Sequence, residues 1–495
     1  MTSTRRTVAV IGAGFSGVAA AVAMRDELGA SVTVFEASED IGGTWRDNTY
    51  PGCACDIASH LYALSFAPNA NWSATYPSQP EIAGYLHDVV ERYGLRELIE
   101  FATEVISLAF DDDASAWIVT TRRAGQAVTS ARFDAVVVAV GPLSRPLIGA
   151  VDGAERFEGP MFHSARWDHS VDLSGKRVAV VGTGASAIQF MPEIASVADH
   201  VTVFQRTPPW VLPRRERPYD TRTRRRFERF PMLMRAHRAK IFLRQEVIGL
   251  AFHGSRPLAS AIRARAEASL RTQVADEHLR ARLTPDYEPG CKRLLISNNW
   301  YPTLQRPNVT VVDHGVASIE RDSVTAADGT VHRADVIVLA TGFAASDFLG
   351  PLVVTGRHGV DLRESWSNGA ATHLGTCIAG FPNLFMLLGP STGLGHNSIV
   401  FMAEAQIQMT VAALRLLDRR SARSIEVRPE VQRRSYEKAQ RRLTRTVWAT
   451  GCRAWYHDPS GRIDTLWPGS AIEFWLRTRR VRPSHYLLDG AVNRG

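Results

Sequence analysis

Two stretches of this 495-residue chain have the residue types and spacing to hold phosphate groups. Gly12-Ala-Gly14-Phe-Ser-Gly17 follows the apolar run from Thr7 to Ile11, and Gly182-Thr-Gly184-Ala-Ser-Ala187 follows Val178 to Val181. Each reads as a buried parallel strand, a tight turn and a helix start. The first glycine lets the turn close, the second lets backbone approach a pyrophosphate, and the small third residue lets the helix lie on the strand. The helix N-terminus then offers N–H groups and a positive dipole end to the phosphates. A second strand follows each turn. Ser31 to Phe35 ends in Glu36, at the position of an acid that accepts from a ribose 2′-hydroxyl. His200 to Phe204 ends instead in Gln205-Arg206-Thr207, where an arginine and a threonine suit a 2′-phosphate. The first unit reads as an FAD site and the second as an NADPH site. A chain holding two dinucleotides is built to pass electrons between them.

Three further stretches belong beside these turns. Gly42-Gly43-Thr44-Trp45 and Tyr50-Pro51-Gly52 fix a loop that ends in Asp56. An acid in such a loop is placed to tune a charged partner near a cofactor, although a rigid cover over the flavin is the plainer reading. Phe157-Glu-Gly159-Pro-Met-Phe-His163-Ser-Ala-Arg-Trp167-Asp168 joins the two units. Gly389-Pro-Ser-Thr-Gly393-Leu-Gly395-His-Asn-Ser398 leads into a helix expected from about Ile399 to Leu417. Its N-terminal N–H groups would face the flavin pyrimidine, where reduction builds negative charge.

The elements that position these residues follow from periodicity. A helical period dominates Tyr76 to Leu98, and Val105 to Val140 alternates like β-structure, ending in the buried strand Asp134 to Gly141. Pro142 and Pro146 punctuate a linker. Arg214 to Arg282 is helical and lacks strands or glycine-rich turns. Val309 to Val312 and Asp335 to Phe343 return to strand. The fold class is α/β, with two Rossmann-like dinucleotide-binding domains and a helical insertion. The expected division is 1–141 (FAD-binding, first part), 142–156 (linker), 157–213 (NADP-binding, first part), 214–289 (helical insertion), 290–340 (NADP-binding, second part) and 341–495 (FAD-binding, second part, with a C-terminal loop region).

Composition narrows the class. Hydrophobic content of 45% and charged content of 22% are ordinary for a globular protein. The run from Val8 to Met24 is apolar but broken by glycines, and fits strand, turn and helix better than a membrane span or signal peptide. Five cysteines without a signal pattern imply a reducing cytoplasm and no disulfide framework. Cys53 and Cys55 are too few for a metal site. Part of the +8 net charge lies in the arginine-rich stretch Arg214 to Arg229. A solvated helical face is the plain reading; a phosphate-rich cofactor or peripheral contact with an anionic membrane are the others. No recognition motif accompanies the charge, which excludes nucleic acid.

These motifs resemble those of the Baeyer–Villiger monooxygenases, relatives of the flavin-containing monooxygenases. Phe157-x-Gly159-x3-His163-x3-Trp167-Asp168 is similar to one family fingerprint, and Gly42-Gly43-x-Trp45-x4-Tyr50-Pro51-Gly52-x3-Asp56 to a second. The similarity runs from about Val8 to Trp475.

The resemblance implies an enzyme in which NADPH reduces FAD and O2 forms a C4a-peroxyflavin. That species inserts one oxygen atom into a small-molecule ketone to give an ester or lactone. It places Arg293 on the family's active-site arginine and Asp56 on the acid that pairs with it. Lys292 and Arg206 fall on groups that hold the NADPH 2′-phosphate. Trp455 falls near a loop tryptophan that closes over the cofactor, although the loop after it is short for the family. His163 and Trp167 fall on the linker and would couple domain rotation to turnover. Oxygenation of sulfides or amines, and a flavoprotein NADPH oxidase or non-catalytic flavin binder, are the other readings. A disulfide reductase is disfavoured, because no CxxxxC follows the first glycine-rich unit.

Overall fold

The computed structural model describes residues 5–490 except Ala150 and Arg453, so one position of the expected linker and both chain ends lie outside the described residues. The two apolar runs become the centres of two parallel five-stranded sheets. In the first, Leu384–Met386, Ala135–Val138, Thr7–Ile11, Ser31–Phe35 and Ile99–Glu100 lie side by side. In the second, the order is Met161–His163, Val336–Leu339, Arg177–Val181, His200–Phe204 and Val309–Val312.

Strand periodicity explains why these runs are apolar throughout. Val8 and Val10 face one layer, which includes helices Phe15–Leu28 and Ile399–Arg419, while Ala9 and Ile11 face the other. That second layer is a four-stranded sheet containing Thr103–Asp111, Ala116–Arg123, Thr129–Phe133 and Val353–Thr355. The second parallel sheet repeats the plan. Val178 and Val180 pack toward helix Ala187–Ile194, and Ala179 packs toward a small antiparallel sheet spanning Val316–Glu320, Ser323–Ala326 and Val331–Arg333.

One expectation needs correction here. The resemblance puts His163 on a linker, whereas Met161–His163 is the edge strand of the second sheet, inside the expected 157–213 part, with His163 opposite Leu339. It occupies the place that Leu384–Met386 takes in the first sheet. Gly159 explains the fit, since a side chain there would collide with the Asp335 carbonyl.

The insertion comprises helices Thr221–Arg229, Pro231–Phe252, Arg256–Gln273 and Glu277–Arg282. Its base is closed by Val211–Leu212 pairing with Leu295–Ile296. The arginines of Thr221–Arg229 are mostly exposed and only Phe227 is buried, as on a solvated face. Among the described residues one helix, Ile399–Arg419, is long and apolar enough to cross a membrane, and 61% of its apolar window is buried within the protein.

A second expectation also fails. The reading of no disulfide is overturned, because Cys291 and Cys452 are joined, with Cα atoms 6.2 Å apart across 161 residues of sequence. Cys53, Cys55 and Cys377 are unpaired and buried. Among the described residues no group of three or more His, Cys, Asp or Glu side chains is arranged to hold a metal.

Candidate active site

The two glycine-rich turns have the same construction. Gly12 N–H donates to Phe35 O at 2.8 Å and Gly182 N–H to Phe204 O at 3.2 Å. Their φ values are +101° and +108°, and a Cβ on either would stand 2.8 Å from Ala139 O or 2.6 Å from Ala340 O. A side chain at Gly17 would strike the Gly12 carbonyl, so the first helix sits hard against its turn. In the second unit Ala187 takes that place, fully buried, and the helix begins there. Gly14 and Gly184 themselves add no side chain to these turns.

Glu36 is buried at the end of its strand. Its Oε2 accepts from Ala13 N–H at 2.7 Å and its Oε1 from Ser38 N–H at 3.0 Å, leaving further acceptor capacity for ribose hydroxyls. Gly43 approaches the Gly14 turn, and a Cβ on Gly43 would be 3.4 Å from Gly14 Cα. The short helix Thr44–Asp47 starts there, and Trp45 Nε1 donates to Tyr62 Oη at 3.0 Å. The glycine-rich cradle and the buried acid together fit FAD.

The second unit fits a 2′-phosphate on electrostatic grounds. Burial lowers the Lys292 ammonium from its usual value, and the positive charge of Arg206 lowers it further. The negative charge of Asp286 offsets part of this, and an anion bound beside the two cations would offset more. Lys292 Nζ also lies 4.8 Å from the Tyr287 ring centre. Thr207 adjoins this group, its carbonyl accepting from Thr183 Oγ1 at 3.4 Å.

Asp56 and Arg293, 237 residues apart in sequence, meet in a bidentate pair. Arg293 Nε donates to Asp56 Oδ2 at 2.8 Å and Nη2 to Oδ1 at 2.7 Å. Both side chains are partly buried, 30% and 24% exposed, so the pair is neither dry nor fully screened. The Asp56 charge holds Arg293 above its usual value. Burial pushes the Asp56 carboxyl up, but the arginine's charge and hydrogen bonds outweigh that and hold it below the usual range. Asp56 takes up the Nε and Nη2 donors of the guanidinium.

Several residues at this site gave no sequence signal. Tyr456 is buried and pushed up to about 12 by burial, while the neighbouring Arg293 charge pulls it down. Its neighbour Trp455, which the family resemblance does pick out, is 43% exposed, with the two rings 4.3 Å apart. Gln189 spans the two units: its Oε1 accepts from Tyr50 Oη at 3.0 Å and its Nε2 donates to Ala54 O at 2.9 Å. Glu246 reaches from the insertion to the loop before helix Ile399–Arg419, accepting from Asn397 Nδ2 at 2.7 Å and lying 3.2 Å from His396 Nε2.

The fingerprint residues connect the same two units. His163 is buried, and its Nδ1 accepts from Ala165 N–H at 3.0 Å. Phe157 packs beside the second sheet. Trp167 lies 5.2 Å from Phe162 and 5.3 Å from Phe190, whose ring is 5.9 Å from Tyr50. Asp168 caps its own turn, accepting from Ser170 N–H at 2.9 Å. A cleft of about 640 Å³ opens along this seam, lined by Tyr50, Gly52, Gln189, Arg214 and Asn298 among others.

Residues 5–253 match the flavin-binding monooxygenase-like family. A Baeyer–Villiger monooxygenase of Pseudomonas aeruginosa is 44% identical over 483 residues, 97% of this chain and 91% of that protein. This chain belongs to the Baeyer–Villiger monooxygenases. A second Baeyer–Villiger monooxygenase, from Streptomyces coelicolor, is 42% identical over 97% of this chain and 92% of its own length. Among solved structures, an oxidised steroid monooxygenase bound to NADP shares 32% identity with a TM-score of 0.87, covering 98% of this chain and 100% of that one. OTEMO, in complex with FAD and NADP, shares 26% identity with a TM-score of 0.86, covering 98% and 99%. This Baeyer–Villiger monooxygenase uses FAD and NADPH, and it inserts one oxygen atom into a ketone to give an ester or lactone.

Proposed function

We propose that Arg293 is the cation on which oxygenation depends and that Asp56 is the residue that positions it. The bidentate pair carries this reading. Bound FAD, reduced by NADPH, supplies the activation of O2. Arg293 contributes a permanent positive charge beside the reacting oxygens, with its Nη1 edge directed away from Asp56. Asp56 fixes the plane of the guanidinium, so that little reorganisation is needed when negative charge appears on the substrate oxygen. Tyr456, buried beside the pair, shields part of it from water. Arg206, Thr207 and Lys292 hold the 2′-phosphate, and Glu36 the flavin-side ribose. Trp455 closes over the nucleotide. Gln189 and the Trp167–Phe190–Tyr50 contacts keep the two units in register during hydride transfer.

The functional division follows the sheets. Residues 1–141 and 341–495 hold FAD, 157–213 and 290–340 hold NADP, 142–156 connect them and 214–289 form a cover. The solved relatives are named for a steroid and for cyclohexanone, and this chain is assigned the same class, a neutral apolar ketone. Sulfide oxygenation is a second activity of the same site, because it needs no migrating adduct. The arginine face on Thr221–Arg229 and the exposed Leu243, Val247 and Leu250 suit peripheral contact with an anionic membrane. A panel of ketones and sulfides, scored for NADPH consumption and product, tests the activity: esters in step with NADPH support it, and sulfoxides without esters would replace it.

A further inference from the structure

The Cys291–Cys452 link lies where the proposed site is assembled. Cys291 directly precedes Lys292 and Arg293 and is fully buried, while Cys452 is only partly buried. Cys452 begins the stretch that reaches Trp455 and Tyr456, three and four residues on. Thr450 Oγ1 donates to Cys291 Sγ at 3.4 Å, and Trp448 is buried against Phe252 and His253. The segment is thus held at both ends by packing, at Trp448 and at the buried Tyr456, whose carbonyl accepts from Thr465 Oγ1 at 2.9 Å, and the disulfide is the covalent tie between these two points. The remaining cysteines are poor competitors for oxidant, since burial pushes the Cys53 and Cys377 thiols up to about 12 and raises that of Cys55 as well.

We propose that Cys291 and Cys452 are a reversible thiol–disulfide site whose oxidation ties the Trp455–Tyr456 segment to the Lys292–Arg293 segment. This makes opening of the cover sensitive to oxidant, and it rests on the reading of Lys292 and Arg293 given above. The oxidant is hydrogen peroxide, which a flavin monooxygenase releases when NADPH is consumed without oxygenating substrate. The more accessible Cys452 thiolate attacks one peroxide oxygen, the O–O bond breaks, and a sulfenic acid and one water result after proton transfer. Cys291 sulfur then attacks the Cys452 sulfur, its proton leaves with the hydroxyl as a second water, and the S–S bond forms. Two thiols lose two electrons and two protons, and one peroxide is reduced to two waters. A dithiol reverses the step by thiol–disulfide exchange and is itself oxidised. In a reducing compartment such a pair cycles instead of persisting. Futile NADPH oxidation thereby makes the product that locks the cover.

The test compares full-length FAD-loaded protein treated with dithiothreitol or with stoichiometric hydrogen peroxide, for the wild type and Cys452→Ser. Three readouts are taken: peptide mass after alkylation, the rate of proteolysis between Trp448 and Leu466, and the NADP⁺ release rate by stopped flow. Expected for the peroxide-treated wild type are a linked Cys291–Cys452 peptide and about tenfold slower proteolysis and NADP⁺ release, the change in rate that about 1.4 kcal/mol of added opening barrier gives. Cys452→Ser should give the same rates under both treatments. A Cys452 that stays alkylatable after peroxide, or proteolysis that is equal in both redox states, overturns the proposal. Slower proteolysis with unchanged NADP⁺ release would support the tether and refute the placement of the nucleotide beneath it.

Discussion

Arg206→Ala tests the phosphate-holding role proposed for Arg206 and Lys292. Arg206 is exposed at the end of the strand His200–Phe204, and its charge is felt by the half-buried Lys292. A hydrogen bond to a charged group contributes about 1.5–3 kcal/mol. Exposure and salt screening place Arg206 at the low end, about 1.5 kcal/mol. At 1.4 kcal/mol per decade, kcat/KM for NADPH should fall about tenfold. NADH lacks the 2′-phosphate and should be nearly unaffected. A second consequence concerns pH. Lys292 binds phosphate as the cation, so kcat/KM for NADPH declines as pH rises through its lowered pKa. Removing Arg206 takes away one of the two causes of that lowering, and the alkaline limb should move to higher pH while burial keeps it below that of an ordinary lysine. Steady-state kinetics with both nucleotides from neutral pH upward measures both effects. An equal loss for NADPH and NADH, or a limb that does not move, would refute the phosphate role.

Three other substitutions have defined outcomes. Gly182→Ala puts a Cβ 2.6 Å from Ala340 O at a φ of +108°, so NADPH binding should weaken by more than tenfold at full FAD content, read by titration and flavin absorbance. His163→Ala leaves the buried Ala165 N–H unpaired, at a cost of about 1–3 kcal/mol, and should lower ester yield per NADPH while FAD stays bound; loss of FAD together with the fold would make His163 purely structural. Asp56→Asn removes a carboxylate held below its usual range. That group's stabilisation is complete above the unfolded value of about 4 and is lost as pH falls through the lower folded one. The variant should therefore show a smaller drop in thermal stability than the wild type on acidification below about pH 4, by scanning calorimetry; identical pH dependence would show that the pair contributes nothing to the fold.

Both parallel sheets were legible in the sequence because their central strands are apolar on both faces, and each is followed by a glycine that its φ requires. The Asp56–Arg293 pair was legible only through motif resemblance, since no local pattern links residues 237 apart. The edge strand Met161–His163 is not legible as a strand because three residues show no period, and its partner Val336–Leu339 comes more than 170 residues later. Gln189, Glu246 and Tyr456 were missed for the same reason: each is an ordinary residue in its own element and gains its role only from tertiary contact. The disulfide was hidden by an odd cysteine count, with three buried thiols obscuring the one pair that the fold brings together.

The central claim is that Arg293 serves oxygenation more than flavin reduction, and Arg293→Ala measured by coupling efficiency tests it most directly. Stopped-flow absorbance follows reduction of the flavin by NADPH, and product analysis scores ester against hydrogen peroxide. FAD should remain bound and NADPH should still reduce it, at a somewhat lower rate because Lys292 is adjacent. Ester formation should fall by on the order of 10²–10³, as for loss of a well-placed oxyanion donor, with the consumed NADPH appearing as hydrogen peroxide. Lysine should rescue little, since an ammonium cannot reproduce the two-point contact with Asp56. An Arg293→Ala enzyme that makes ester at close to the wild-type rate would contradict the account and place the reacting centre elsewhere.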